Sequence, residues 1–244
     1  FYAALLTTEM SDTDKLAKYI SDAKDHGINV LGPDVNESER LFNVVVGADG
    51  KESVRFGMEA IKGCGAAAIS VIVEERALNG PFRSFPDFCK RMSARKINKK
   101  TLEVLIRAGA FDSIYGLAPG KTGKVNRHTL FKSIETVVSW AAKEAEIAAL
   151  GQGGLFDSLF AASGSGPSLK APEPEMPFQN EFTHMEKLEA ERELLGFYVS
   201  GHPLDPYRSL LRQCTNLSVL RIFEMAKEGK LPKKEQGPMD WKAR

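Results

Sequence analysis

Apolar and polar residues follow a helical spacing near the start of the chain. Residues 11–31 place their apolar side chains on one face, with Ser11 or Asp12 as the N-cap and Gly27 as the stop. The apolar positions on that face are Leu16, Tyr19, Ile20 and Ala23. This pattern predicts an amphipathic helix.

The pattern changes after this helix. The segment FNVVVGADGKESVRFGM predicts two short strands about an Asp-Gly turn at residues 49–50. Glycine and proline then divide residues 57–114 into short helices. Longer helices are predicted over residues 128–150 and over THMEKLEAERELLGF, where Thr183 and Glu186 form a capping box. The predicted fold class is therefore mainly α with a small β-hairpin.

Composition narrows the class of protein. Lys plus Arg number 33 and Asp plus Glu number 32, so a charged partner needs a local cluster. Cys64, Cys89 and Cys214 are far apart without Cys-x-x-Cys spacing, which favours reduced thiols in the cytoplasm and no zinc site. We expect no membrane partner, because no apolar run approaches the roughly 18 residues of a span and no signal peptide is recognisable. The chain starts without Met, so we expect a piece of a longer protein.

A glycine turn precedes a predicted helix in IKGCGAAAISVIVEER, residues 61–76. Gly63 and Gly65 allow a sharp turn beside Lys62, and the next helix offers unpaired N–H groups and the positive end of its dipole. Such a turn suits phosphate. It lacks the third glycine of a dinucleotide fingerprint and the Gly-Lys-Ser/Thr of a Walker loop. It is similar to a helix-hairpin-helix motif, although Gly-x-Gly before a helix is also common as a plain tight turn.

A looser second copy lies in VLIRAGAFDSI, residues 104–114, where Gly109 alone forms the turn. Positive charge is concentrated between the two copies. Its residues are Lys90, Arg91, Arg95, Lys96, Lys99 and Lys100. Two hairpins around a basic cluster predict a surface that follows DNA phosphates with steep salt dependence, although such clusters also occur on solvated faces. Phe82, Phe85 and Phe88 are predicted to lie in the core rather than to stack on bases.

Six segments together resemble a known family. They are FYAALLTTEM, GPDVNES, RFGMEAIKGCGAAAI, GPFRSFPDFCKR, LIRAGAFDSI and ELLGFYVSGHPLDPYR. In this order they are similar to the C-family bacterial replicative DNA polymerases. The resemblance implies that residues 1–40 end the fingers domain and that residues 41–160 form a tandem helix-hairpin-helix domain on double-stranded DNA. Residues 161–180 would be a flexible linker, as their Gly, Ser and Pro content also indicates, and residues 181–244 a helical segment leading toward an OB-fold domain.

The segment GQGGLFDSLF, residues 151–160, sets large apolar side chains beside glycines. Gln152, Leu155 and Phe156 fit the pattern Gln-x-x-Leu-Phe, which resembles the sliding-clamp-binding peptide that the family carries after its hairpins. The resemblance implies that Leu155 and Phe156 fill an apolar groove on the clamp. The alternative is a turn buried on the chain's own core.

No set of carboxylates is recognisable as a two-metal polymerase site. The family places its catalytic carboxylates and Mg²⁺ upstream, so the resemblance implies a polymerase part that acts by binding, without catalytic residues or a cofactor of its own. Other replicase subunits would bind regions outside this chain. Two alternatives are an error-prone paralogue, which tends to lack a good clamp peptide, and a hairpin-containing repair enzyme such as a DNA glycosylase. For the latter, residues 66–80 offer only Glu74, Glu75 and Arg76 near the turn.

Overall fold

The computed structural model of the chain describes residues 1–47, 49–93, 95, 97–117, 125–149, 172–214 and 219–227. The chain divides into two compact units, Phe1–Gly201 and His202–Arg244. Helices predominate and the described strands form one small sheet, which confirms the predicted fold class. Among the described residues, no helix is both long and apolar enough to cross a membrane.

Two helices open the first unit, α1 at Tyr2–Thr8 and α2 at Thr13–Asp25. The Asp12 carboxylate accepts hydrogen bonds of 3.1 Å from two backbone N–H groups in the first turn of α2. Gly27 turns the chain away after α2 with φ +77°. The predicted helix and its stop are therefore confirmed, with Asp12 rather than Ser11 as the N-cap.

The sheet has three strands, β1 at Val30–Leu31, β2 at Asn43–Val46 and β3 at Glu52–Arg55. β2 and β3 pair antiparallel with Val44 opposite Val54, which confirms the predicted hairpin. β1 runs parallel to β3 along its other edge. The sequence pattern does not indicate β1, because two residues are too few to show an alternation and the preceding helical spacing runs into them.

Short helices follow the sheet, as the glycine and proline positions predict. A 3-10 turn at Met58–Ala60 leads to α3 at Ala66–Asn79. Helices α4 and α5 span Phe85–Ser93 and Lys99–Arg107, and a second 3-10 turn lies at Ser113–Tyr115. Both predicted glycine turns therefore connect helical elements.

Aromatic rings fill the space among these helices. Phe82 lies edge-on to Phe88 with ring centroids 4.8 Å apart, and Phe111 lies edge-on to Phe88 and Phe85 at 5.1 and 5.2 Å. All four side chains are buried. Large rings remove much apolar area from water, and edge-to-face geometry adds a favourable contact. The prediction that Phe82, Phe85 and Phe88 belong to the core is confirmed.

Helix α6, Arg127–Ala149, packs against α4 and α5. Its buried apolar positions are Leu130, Ile134, Val137 and Ala141. They recur every three or four residues, as predicted for one face of a long helix. The Asn126 side chain accepts a hydrogen bond of 2.8 Å from the Thr129 N–H group, so the start of α6 is capped.

Helix α7, His184–Leu195, starts with the predicted capping box. Thr183 Oγ1 accepts a hydrogen bond of 3.2 Å from the Glu186 N–H group, and the Glu186 carboxylate accepts one of 2.7 Å from the Thr183 N–H group. The end of the helix lies in the core. Its buried apolar residues there are Leu194, Leu195 and Phe197.

The end of α7 belongs to the first compact unit. Residues up to Gly201 lie in the same compact unit as the two glycine turns. The apolar end of α7 completes the core, with the ring of Phe197 centred 5.6 Å from that of Phe56. A sequence pattern reveals an apolar face but not the element that the face contacts.

The second unit begins at His202. A 3-10 turn at Asp205–Tyr207 is followed by α8 at Arg208–Cys214 and α9 at Val219–Lys227. Within this unit, Arg208 pairs with Asp205 at 2.8 Å. The side chains of Tyr207, Leu210 and Phe223 are more than half exposed.

Candidate nucleic-acid interface

The first glycine turn forms a tight connection on the protein surface. Gly63 has φ +89°, a left-handed conformation that disfavours other residues. A Cβ added there would meet Val104 Cγ2 at 3.3 Å, so the turn lies directly on α5. Gly65 is the N-cap of α3, and no side chain caps this helix. The sequence folds this way because only glycine combines the positive φ with such a close approach.

The start of α3 is open to solvent. Gly65, Ala66 and Ala67 are exposed. The first hydrogen bonds inside the helix run from the N–H groups of Ala68 and Ile69 to the Gly65 carbonyl, at 3.0 and 3.2 Å. The N–H groups ahead of them point outward from a 14-residue helix, whose dipole is positive at this end. This surface is suited to an anion such as phosphate.

Lys62 has two different roles at this turn. Its side chain is exposed, and among the described residues no carboxylate lies within ion-pair distance of it. Its backbone N–H group donates a hydrogen bond of 2.9 Å to the Leu194 carbonyl at the end of α7. The positive charge therefore faces solvent while the backbone is held from inside.

Most of the predicted basic cluster is bound within the fold. Arg91 pairs with Glu75 at 3.0 Å and donates to the carbonyls of Glu75, Gly80 and Pro81 at 3.1, 2.8 and 3.3 Å. Arg95 also pairs with Glu75, at 3.3 Å. The cluster's arginines thus fix α3 to α4 rather than extending freely into solvent.

Glu75 is the centre of these contacts and is buried. Burial raises the pKa of its carboxyl, but hydrogen bonds from Asn79 and Arg91 and the charges of Arg91 and Arg95 outweigh burial, so the pKa lies below its ordinary value. Glu75 therefore remains ionised and neutralises part of the cluster's positive charge.

The lysines of the cluster differ from one another. Lys90 pairs with Glu144 at 2.7 Å, and Lys99 pairs with Glu135. Lys100 is exposed, and in the described part of the chain no carboxylate pairs with it. It precedes Val104 by one helical turn on the same face of α5, and Val104 is the residue that Gly63 contacts. Lys96 lies outside the described residues.

The second glycine turn is buried. Gly109 follows α5 with φ +83°, and a Cβ added there would overlap the guanidinium of Arg127. The structure places Lys62, Gly63 and Gly65 in one exposed turn but leaves Gly109 beneath a side chain of α6. This turn therefore lacks the open backbone surface of the first one.

Arg127 holds a buried ion network above Gly109. Its guanidinium donates to Asp112 at 2.6 and 3.0 Å and to Glu191 at 3.3 Å. Glu191 in turn accepts hydrogen bonds from the Val199 and Ser200 N–H groups at 2.8 and 2.9 Å. Burial lowers the pKa of Arg127, but the hydrogen bonds and charges of its partners outweigh burial, so the pKa lies above its ordinary value.

Sequence patterns do not reveal these stabilising partners. Each of these residues is a single charged side chain in a helical segment, which the sequence alone predicts to lie on the solvent-exposed face. They are Arg127, Glu75 and Glu191. The one available signal is their spacing, since Glu191 lies on the same helical face as the apolar residues of α7. Gln152, Leu155 and Phe156, predicted to bind the clamp, lie outside the described residues.

Comparison with known proteins identifies a matching motif and similar chains. A family model described as a helix-hairpin-helix motif matches residues 27–118. The DNA polymerase III subunit alpha of Borreliella burgdorferi is 39% identical over 228 residues, which are 93% of this chain and 18% of that protein. The chain is homologous to a segment of DNA polymerase III subunit alpha.

Further relatives agree with this result. DNA polymerase III subunit alpha of Deinococcus radiodurans is 40% identical over 213 residues, which are 86% of this chain and 14% of that protein. The Thermus aquaticus protein is 38% identical over 228 residues, which are 93% and 16%. The chain thus spans less than one fifth of each of these three DNA polymerase III α subunits. The resemblance drawn from the six sequence segments is confirmed.

Proposed function

We propose that this chain is the part of a replicative DNA polymerase III α subunit that binds double-stranded DNA through the first hairpin. The observation that carries the proposal is the exposed turn from Lys62 to Gly65 at the uncapped start of α3. Homology to DNA polymerase III α subunits and the helix-hairpin-helix match support it.

The proposed contact is with one phosphate of the DNA backbone. The N–H groups of Gly65, Ala66 and Ala67 would donate to phosphate oxygens, and the positive end of the α3 dipole would favour the negative charge. The ammonium groups of Lys62 and Lys100 would add salt-dependent attraction. None of these groups reads a base edge, so binding would be independent of sequence.

The remaining predicted residues take a smaller part in this proposal. Lys99 and Arg95 are engaged by Glu135 and Glu75, so DNA would have to compete with existing ion pairs. Gly109 contributes to the fold instead, because Arg127 covers it. Binding to DNA would therefore be asymmetric, with the first hairpin in contact and the second as its support.

We further propose that Gln152, Leu155 and Phe156 tether the polymerase to the sliding clamp. The support is the Gln-x-x-Leu-Phe pattern and its position after the hairpins. Leu155 and Phe156 would enter an apolar groove, while Gln152 would hydrogen-bond at its rim. A second attachment raises the effective concentration of a weakly held polymerase near its primer.

The polymerase reaction itself is proposed for the longer protein. Nucleotidyl transfer by two metal ions requires carboxylates in a palm domain, and if residues 1–40 are the end of the fingers, that palm would lie upstream. The Mg²⁺ ions and contacts with other replicase subunits would likewise lie outside this chain.

DNA binding is tested by charge removal at the turn. The 244-residue chain is titrated against a fluorescent primed duplex between about 50 and 200 mM salt, the range in which phosphate contacts change affinity steeply. The logarithm of the binding constant falls with the logarithm of the salt concentration, and each lysine on a phosphate makes this slope steeper by about one. Lys62→Gln/Lys100→Gln should therefore make the slope shallower by about two. Lys99→Gln, the neighbouring charge, should lower it by less.

Equal slopes and affinities for the wild type and the Lys62→Gln/Lys100→Gln chain would overturn this interface. An effect of Lys99→Gln as large as half that of Lys62→Gln/Lys100→Gln would show that general charge, rather than the turn, attracts the DNA.

Clamp binding is tested with two double variants from one segment. Leu155→Ala/Phe156→Ala should abolish binding to a purified bacterial sliding clamp and leave DNA binding unchanged. The matched control, Leu159→Ala/Phe160→Ala, removes similar apolar area outside the pattern and should keep clamp binding. If both variants bind the clamp as the wild type does, the tether is not in this peptide.

A further inference from the structure

The DNA-binding turn is held by a helix that lies far along the chain. The Lys62 N–H group in the turn donates to the Leu194 carbonyl at the end of α7, at 2.9 Å. We propose that the end of α7 positions the first hairpin for phosphate binding, so that Leu194 acts on DNA affinity without touching DNA. This inference rests on the proposed function of the hairpin.

The bond satisfies the C-terminal end of α7. The last four carbonyls of an α-helix have no N–H partner within the helix, and Leu194 is next to the last residue of α7. Gly196 closes the helix in a left-handed conformation, φ +87°, and its N–H group binds the Arg192 carbonyl at 3.1 Å. The Lys62 N–H group therefore supplies a donor that α7 lacks.

The end of α7 is itself fixed on its far side. A Cβ added to Gly196 would overlap Thr13 Cγ2, so the chain there lies directly on the start of α2. Phe197 contacts Phe56, and Leu194 and Leu195 are 5% and 1% exposed. A carbonyl held this firmly sets the position of the N–H group that it accepts from.

The bond determines which turn N–H groups face outward. With Lys62 directed to Leu194 and Gly63 seated on Val104, the next backbone segment turns toward solvent. Gly65, Ala66 and Ala67, which are exposed, then present their N–H groups without reorganisation. Donors held in place before binding lose less entropy when the ligand arrives.

Proline at position 62 removes the N–H group, fixes φ and places a ring carbon toward the Leu194 carbonyl. The preceding residue, Ile61, has φ −73° and ψ 116°, the extended conformation that a residue before proline prefers. Lys62→Gln is the matched control, since it also loses the ammonium group but keeps the N–H donor. A difference between the two folded chains reports how far the backbone contact between residue 62 and Leu194 positions the turn.

We expect Lys62→Pro to bind primed duplex DNA about tenfold more weakly than Lys62→Gln at every salt concentration. A factor of this size corresponds to the free energy of about one hydrogen bond. The lines of log K against log salt should be parallel, because the two variants carry the same charge. Superimposed lines from two folded variants would overturn the inference. Absence of DNA binding by the wild type would instead refute the proposed function.

A second pair of variants keeps the test open if Lys62→Pro does not fold. Gly196→Ala should weaken DNA binding by displacing the end of α7. The double variant Gly196→Ala/Thr13→Ser lacks the Thr13 methyl group that overlaps the new Cβ, so it should bind DNA more tightly than Gly196→Ala alone. Unchanged DNA affinity of folded Gly196→Ala would contradict the proposal. In the unmodified chain, the Lys62 amide should exchange with solvent deuterium far more slowly than the Ala66 amide, and equal exchange would also contradict it.

Discussion

Replacing Gly109 by alanine tests whether the second hairpin is a structural element. The substitution affects two features at once: a backbone with φ +83° and the space that the Arg127 guanidinium occupies. Gly116→Ala is the matched control. Gly116 has φ +64°, and a Cβ added there meets nothing within 4 Å, so this substitution affects the backbone alone.

The losses of unfolding free energy in Gly109→Ala and Gly116→Ala differ by the energy of the Arg127 ion network. A left-handed alanine costs about 1–2 kcal/mol at either position. At Gly109 the Cβ also displaces Arg127 from Asp112 and Glu191, and breaking a buried ion pair costs about 3–5 kcal/mol. We therefore expect Gly109→Ala to lower the free energy of unfolding by about 4 kcal/mol or more, against about 1–2 kcal/mol for Gly116→Ala. The larger loss is a substantial fraction of the roughly 5–15 kcal/mol that stabilises a typical domain.

Urea denaturation followed by far-ultraviolet circular dichroism measures both variants. The expected result is a much lower midpoint for Gly109→Ala and a small shift for Gly116→Ala. If the two glycines give the same loss, Arg127 moves aside at little cost and the network does not stabilise the second hairpin. The reasoning would then fail for Gly109, and a direct role at the DNA would again be open for it.

Three further outcomes follow from the same structure. Thr183→Ala should lower the free energy of unfolding, measured by urea titration, by about 1 kcal/mol. Hydrogen bonds with Thr183 lower the pKa of Glu186, so the stabilisation from the capping box is present above the unfolded-state pKa of Glu186 and should be lost as the pH falls through its folded-state pKa. Glu75→Gln should lower the free energy of unfolding by about 2 kcal/mol near pH 7. Because the pKa of Glu75 is also lowered, the difference in unfolding free energy between the variant and the wild type should shrink in acid. A difference that stays constant with pH would exclude an ionised Glu75. Burial raises the pKa of Cys64 and Cys89 to about 12, so in a Cys214→Ser chain neither thiol should react with iodoacetamide at pH 8 until urea unfolds the protein, and fast labelling of the folded chain would contradict this.

The sequence predicts the elements whose signals are local. The Asp12 cap, the strand hairpin and the Thr183 capping box each depend on residues within a few positions, and each is confirmed. The first glycine turn is equally local, because Gly63 needs a positive φ and Gly65 begins a helix. Such features follow from backbone chemistry that neighbouring residues impose.

The features that escape prediction depend on distant partners. Charge counting describes Arg91 and Arg95 as available to DNA, but the buried Glu75 engages both. Similarly, Gly109 resembles Gly63 in sequence, yet the side chain of Arg127 covers only Gly109. Periodicity indicates that a face is apolar or charged, and only the folded chain reveals which group lies opposite.

The closing of the core by α7 has a consequence for the order in which the protein forms. Gly196 contacts Thr13, and Leu194 contacts Lys62, across separations of well over one hundred residues. Contacts this distant in sequence slow folding, since the intervening chain must be gathered before they form. On the ribosome, the hairpins would emerge with Phe56 and its neighbours uncovered until residues 194–197 leave the exit tunnel. The first glycine turn would therefore be among the last parts of the first unit to mature, and nascent chains would need protection from aggregation until then.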